Sequence, residues 1–219
     1  AGYDRSSSKL TDDLETEGIK ICFEDAVSCI PADFRYPKST LIVLTPAIPE
    51  NHPQLQYFRE NNYEILKRAQ VLGNITRQNK GICIAGTHGK TTTSTITAHL
   101  LYQSQVMCSA FLGGISNNYN TNLLLSKDSN YVVIEADEYD RSFHQLSPYM
   151  AVITSADADH LDIYETAEAF RESFEHFTSL IKPGGALIMR KGVNVNPVLQ
   201  KGVKLYTYSM DEGGDFHAE

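Results

Sequence analysis

Between an apolar run and a string of threonines the chain reads Gly81-Ile82-Cys83-Ile84-Ala85-Gly86-Thr87-His88-Gly89-Lys90-Thr91-Thr92-Thr93. Gly86 and Gly89 allow a tight turn in which successive N–H groups converge on one anion. A helix that starts immediately afterwards adds its unpaired N–H groups and the positive end of its dipole. Lys90 brings a point charge for the terminal phosphates of a nucleotide, and Thr91 a hydroxyl for a magnesium ion. Gly86, Thr87, His88, Gly89, Lys90, Thr91 and Thr92 are therefore the expected phosphate-binding set. The general pattern G-x-x-x-x-G-K-[ST] would put glycine at position 84, where Ile84 stands, so the loop is the shorter G-T-H-G-K-T. A loop needing only flexibility has no use for an imidazole, which directs His88 toward a substrate or a phosphate.

Two acidic groups follow apolar runs. Tyr131-Val132-Val133-Ile134 leads into Glu135-Ala136-Asp137-Glu138-Tyr139-Asp140, and Ala151-Val152-Ile153-Thr154-Ser155 leads to Asp157-Ala158-Asp159-His160-Leu161-Asp162. The C-terminal ends of parallel strands are where open α/β sheets hold their ligands. Carboxylates there supply the oxygen donors that a nucleotide-bound magnesium ion needs beyond Thr91. The bland alternative for each group is a solvated acidic loop. His160 reads either as a surface histidine or as a metal ligand or acid–base group. Gly113-Gly114 reads equally as a turn and as a place where a substrate approaches the backbone closely.

Stepping outward from these residues, strands are expected at Ile82–Ala85, Met107–Leu112, Tyr131–Ala136, Met150–Thr154, Ala186–Met189 and Leu205–Tyr208. A helix runs from the loop to about Ser104. Another spans Ala167–Ile181, with Phe170, Phe174, Phe177 and Ile181 on one core-facing stripe. Upstream, a helix near Leu10–Glu15 closed by Gly18 precedes a short strand over Ile19–Phe23. Leu41–Leu44 reads as a buried strand, Gln54–Asn61 as a helix, Tyr63–Leu66 as a strand and Lys67–Gln78 as a helix. The expected class is α/β: a partial Rossmann-like domain over 1–79, then a P-loop-type ATPase domain with a mostly parallel sheet over 80–219.

Composition is that of an ordinary globular chain, 42% hydrophobic and 21% charged over 219 residues, with a formal net charge of −8. That acidic balance argues against nucleic acid as a partner, and no apolar run is long enough to insert in a membrane. Cys22, Cys29, Cys83 and Cys108 show no C-x-x-C spacing, and two lie in apolar runs, which favours reduced thiols and a cytoplasmic setting. The chain starts without methionine and stops in mid-pattern, as a piece of a longer polypeptide would.

G-T-H-G-K-T-T-T (Gly86–Thr93), E-A-D-E-Y-D (Glu135–Asp140) and D-H-L-D-I-Y (Asp159–Tyr164), in this order and spacing, resemble the Mur ligases of bacterial cell-wall synthesis. The loop histidine resembles the branch that joins L-alanine to UDP-N-acetylmuramate. Gly2-Tyr3-Asp4, Thr45-Pro46-Ala47-Ile48 with His52-Pro53, and Lys67-Arg68-Ala69 extend the likeness over nearly the whole chain. The resemblance implies three domains, of which this chain would hold most of the first and part of the second. It lacks the N-terminal glycine turn, and the piece alone would be inactive. The resemblance also implies ATP and Mg2+ as cofactors, UDP-N-acetylmuramate and L-alanine as substrates, and an acyl-phosphate intermediate in peptidoglycan precursor synthesis. Lys90, Glu135 and His160 would be catalytic. Thr91 would hold one magnesium ion, Glu135 and His160 a second. His88 would face the sugar or its acid, while Glu138 and Asp140 would orient the amine. Ser155 departs from the asparagine frequent in the family. The murein tripeptide-recycling branch and a P-loop NTPase without ligase chemistry remain alternatives. The compact Ser142–Tyr149 stretch speaks against the first.

Overall fold

The computed structural model describes residues 1–157, 161–211 and 213–217, with the backbone alone at 161 and 162. Two compact units meet in sequence at Arg68/Ala69. In the first unit, β1 (Gly2–Tyr3) pairs in parallel with β2 (Ile21–Cys22). The link between them is α1 (Lys9–Thr16), started by a reciprocal capping box of Ser8 and Thr11. The second pair, β3 (Leu41–Leu44) and β4 (Glu64–Lys67), is also parallel and brackets α2 (Pro53–Glu60), which opens on a proline. Three short 3-10 turns lie between β2 and β3.

Leu41–Leu44 forms the expected strand, but it is not buried. Leu41 and Val43 are about half exposed (47% and 49%), alternating with partly buried Ile42 and Leu44. A continuous apolar run marks a strand covered on both faces. Here the strand belongs to a two-stranded pair that covers one.

Helix α3 (Arg68–Gln78) leads into the second unit, built on one sheet. Its strands are β5 (Lys80–Ala85), β6 (Ser109–Ser116), β7 (Thr121–Leu124), β8 (Tyr131–Glu135), β9 (Met150–Ile153), β10 (Ala186–Arg190), β11 (Lys204–Ser209) and β12 (Phe216–His217). Their spatial order is β12-β11-β10-β9-β5-β8-β6-β7. All neighbours are parallel except β6 and β7, which form an antiparallel hairpin at one edge. Central β5 lies between β8 and β9, so its Ile82–Ala85 run is buried on both faces. The helices are α4 (Lys90–Tyr102), the single turn α5 (Leu161–Tyr164) and α6 (Ala167–Ser179).

The aromatic stripe of α6 is core. Phe170, Phe174, Phe177 and Ile181 are at most 1% exposed. Phe143, from a 3-10 segment over Tyr139–Gln145, packs on Phe174 and Phe177 with ring centroids 5.2 and 4.9 Å away. The side chain of Lys182 donates to the carbonyls of Thr76, Arg77 and Asn79 at 2.6–3.1 Å, satisfying the orphan acceptors at the end of α3.

Candidate phosphate and metal site

Parallel β5, β8 and β9 place three loops at one end of the sheet. From β5 the chain turns through Gly86 (φ +139°) and Gly89 (φ +80°) into α4, whose first residue is Lys90. A side chain at Gly86 would collide with the Thr154 hydroxyl at 2.1 Å, so only glycine fits. The loop is tied to the end of β9. Ser155 Oγ accepts from the His88 N–H at 2.9 Å and lies 2.9 Å from Thr87 Oγ1. Thr154 Oγ1 lies 2.6 Å from the His88 carbonyl oxygen, to which it donates. Thr87 Oγ1 accepts from the Asp157 N–H at 3.2 Å. The His88 side chain, Thr91 and Thr92 are exposed on the loop and first turn.

Lys90 Nζ donates to the Gly86 carbonyl at 2.8 Å and to both carboxylate oxygens of Glu138 at 2.7 Å. Glu138 was expected to orient an amine substrate. Its placement is different: the residue is 1% exposed, and its carboxylate is the counter-ion of the loop lysine. A carboxylate this deep in the fold requires a charged partner, and a lysine 48 positions earlier is not visible as that partner in sequence. Asp140, the other residue assigned to the amine, is exposed at φ +51°.

Glu135 ends β8 beside the loop. Its Oε1 accepts from the Thr91 hydroxyl at 3.1 Å and its Oε2 from the Gly113 N–H at 3.1 Å. A side chain on Gly113 would meet the Glu135 carboxylate at 2.3–2.5 Å. Gly113-Gly114 is not a turn, since both glycines lie within β6, and the group that approaches Gly113 is the protein's own Glu135 carboxylate rather than a substrate. Gly113→Ala is therefore expected to displace Glu135 from Thr91 and weaken magnesium-dependent nucleotide binding by about ten-fold, about 1.4 kcal/mol, read by titration with MgATP against metal-free ATP.

Thr91 and Glu135 present a hydroxyl and a carboxylate, the hard oxygen donors that suit Mg2+. No group of three or more His, Cys, Asp or Glu side chains with metal-site geometry occurs among the described residues. His160 and Asp159 lie outside them. Thr154 was not singled out as part of the site, and Ser155 was noted only as a departure from the family's asparagine. Serine and threonine after a strand are too common to signal a contact, and the only cue was that they follow β9 as the acidic group follows β8.

The first unit has its own cavity, about 240 Å3, bordered by β1 and β3 and lined among others by Tyr3, Cys22, Cys29, Ile30 and Leu55. At its wall the Tyr3 hydroxyl donates to Asp25 Oδ1, which also lies 3.2 Å from His52 Nε2. Those contacts, with the tyrosine first, hold the Asp25 carboxyl below its usual range. The four cysteines are all free thiols. Cys83 and Cys108 are buried, and burial pushes Cys108 up to about 11 and Cys83 up further. Cys29 is also pushed up to about 11, chiefly by a hydrogen bond with Cys22. No helix among the described residues is long and apolar enough to cross a membrane.

Residues 84–219 match the family described as Mur ligase middle domain, and residues 1–80 match Mur ligase family, catalytic domain. A Phocaeicola vulgatus protein named UDP-N-acetylmuramate–L-alanine ligase is 64% identical over 218 residues, covering all of this chain and 47% of its own length. A Parabacteroides distasonis protein of the same name is 62% identical over 218 residues, with the same coverage. The solved UDP-N-acetylmuramate-alanine ligase of Thermotoga maritima shares the fold, with a TM-score of 0.79 at 24% identity over 97% of this chain and 47% of its own. The chain spans about half the length of the curated relatives it matches. With family models matching residues 1–80 and 84–219, the chain belongs to the Mur ligase family.

Proposed function

We propose that this protein is an ATP-dependent ligase that joins L-alanine to the carboxylate of UDP-N-acetylmuramate, a step in making peptidoglycan precursors in the cytoplasm. The observation that carries the reading is the convergence of Lys90, Thr91 and Glu135 at the C-terminal ends of β5 and β8. It occurs in a chain 64% identical along its whole length to a protein of that name. Residues 1–79 would hold the UDP-sugar, and residues 80–219 would hold ATP.

In this reading the loop N–H groups and Lys90 cradle the β- and γ-phosphates. The muramate carboxylate oxygen attacks the γ-phosphorus, the bond to the β-γ bridging oxygen breaks, and ADP leaves with that electron pair. The L-alanine amine then attacks the acyl carbon, inorganic phosphate departs, and the nitrogen loses a proton as the amide forms. Lys90 answers the charge that gathers on the phosphoryl oxygens during the first transfer. Thr91 would hold one Mg2+, and Glu135 with His160 a second. When bound, the metal offsets the repulsion between two anions that must meet. His88, exposed at the loop tip, would face the sugar acid.

The test is phosphate release by the full-length protein with each substrate omitted in turn. Release that requires ATP, UDP-N-acetylmuramate and L-alanine together is expected. An equal rate with a tripeptide in place of alanine would move the protein to the recycling branch. ATP hydrolysis indifferent to both other substrates would sink the ligase reading.

A further inference from the structure

Tyr164, the last residue of D-H-L-D-I-Y, is a large aromatic residue only 1% exposed, and its hydroxyl has a definite task. It donates to the backbone carbonyl of Glu138, the residue whose carboxylate holds Lys90. Behind it the Ser173 hydroxyl lies 3.4 Å from the Tyr164 oxygen. His144 Nε2 lies 2.9 Å from the Ser173 carbonyl oxygen and 3.0 Å from Ser173 Oγ. A carbonyl only accepts, so His144 carries a proton on Nε2. Ser173 Oγ then accepts from the histidine and gives its own proton to Tyr164. The tyrosine proton is left for Glu138. The His144 proton is shared between the two oxygens of Ser173, and each hydroxyl after it has one destination. Burial holds the His144 imidazole below its ordinary range, which favours the neutral ring this direction uses.

The backbone gripped by the column is strained. Asp140 and Arg141 both sit at φ near +50° without being glycine, a left-handed conformation unfavourable for residues with a side chain. The Glu138 carbonyl also accepts from the Arg141 N–H at 3.0 Å, and the Arg141 guanidinium lies over the Tyr164 ring at 4.8 Å. Tyr164 therefore touches the turn at Glu138 and at Arg141, one of its two residues with positive φ.

We propose that Tyr164 is a positioning residue for the phosphate site: through the Glu138 backbone it fixes where Glu138 holds Lys90 beneath the loop, and Ser173 and His144 fix Tyr164 in turn. The proposal rests on the reading that this loop binds ATP. It assigns a role to the tyrosine of the second acidic motif, which the proposed chemistry leaves unused.

The test compares the full-length protein with Tyr164→Phe, Ser173→Ala and the double variant. MgATP affinity is measured far below the melting transition, alongside thermal melting. UDP-N-acetylmuramate affinity serves as the control for folding. Tyr164→Phe keeps the ring and removes one oxygen. It is expected to weaken MgATP binding about five-fold, the worth of one buried hydrogen bond, while UDP-N-acetylmuramate binds as before. Adding Ser173→Ala is expected to change the MgATP affinity of Tyr164→Phe by less than about two-fold, because the column is already cut. A lowered melting temperature with unchanged MgATP affinity would make Tyr164 a packing residue and overturn the proposal. So would an independent, additive loss from Ser173→Ala. If the unsubstituted protein bound UDP-N-acetylmuramate but no MgATP, the loop assignment itself would fall, and this proposal with it.

Discussion

Replacing Lys90 with alanine is expected to lower ligase turnover by at least about 10²–10³-fold at saturating ATP, the loss found when a single preorganised charge-stabilising donor is removed. The loop would still offer its backbone N–H groups, and Thr91 and Glu135 would still face each other, so nucleotide binding should suffer less than the chemical step. That split between kcat and KM is the informative readout, because it separates a group that acts on the transferring phosphoryl from one that merely attracts anions. Lys90→Arg is not expected to rescue turnover. The lysine side chain is 15% exposed and makes three short contacts, to Gly86 and to both oxygens of Glu138. A planar guanidinium cannot occupy that point-like niche. Turnover near the unsubstituted rate for Lys90→Ala would refute the phosphate-loop assignment.

The second large effect is on stability. Glu138→Ala leaves a nearly buried ammonium without its counter-charge, and breaking one half of such a pair costs about 3–5 kcal/mol. For a unit of this size that corresponds to a fall in melting temperature of about 10 °C, measurable by calorimetry as a shift of the transition belonging to the second unit. Replacing both partners, Lys90→Met with Glu138→Leu, is expected to recover most of the lost stability, since neither charge then remains to be desolvated. The double variant should be stable and catalytically dead. Recovery of stability without activity would show that the pair is kept for chemistry. A Glu138→Ala protein that melts with the unsubstituted one would mean that the contact contributes little to the fold.

The strand–loop–helix unit around Gly86 and the aromatic stripe of α6 were legible because each announces itself within about a dozen residues: a glycine-bracketed turn after a β-branched run, and phenylalanines at helical spacing. Other features depend on pairings that sequence spacing does not encode. β7 was not predicted, because Thr121–Leu124 is short and follows the polar Asn117–Asn120 stretch. Its strand character comes from pairing with β6 across a bulge. Glu138 was assigned with Asp140 to the amine from its place in Glu135–Asp140; what sets it apart is burial against Lys90. Ser155 was noted only as a departure from a family habit. Its contacts with Thr87 and His88 exist because β9 is hydrogen-bonded beside β5. Leu41–Leu44 misled in the opposite sense, since its apolar run suggested two covered faces where the unit supplies one.

The bonds from Thr154 and Ser155 to the phosphate loop have a kinetic and entropic meaning. A glycine-rich loop free in solution samples many backbone states, and a ligand that orders it loses affinity by the entropy of that ordering. Here the end of a neighbouring strand already holds Thr87 and His88 through their side-chain and main-chain atoms. The ordering is thus completed during folding, before any phosphate arrives. In the proposed reading the nucleotide meets a loop whose backbone is already ordered, so its association requires no slow search by the loop.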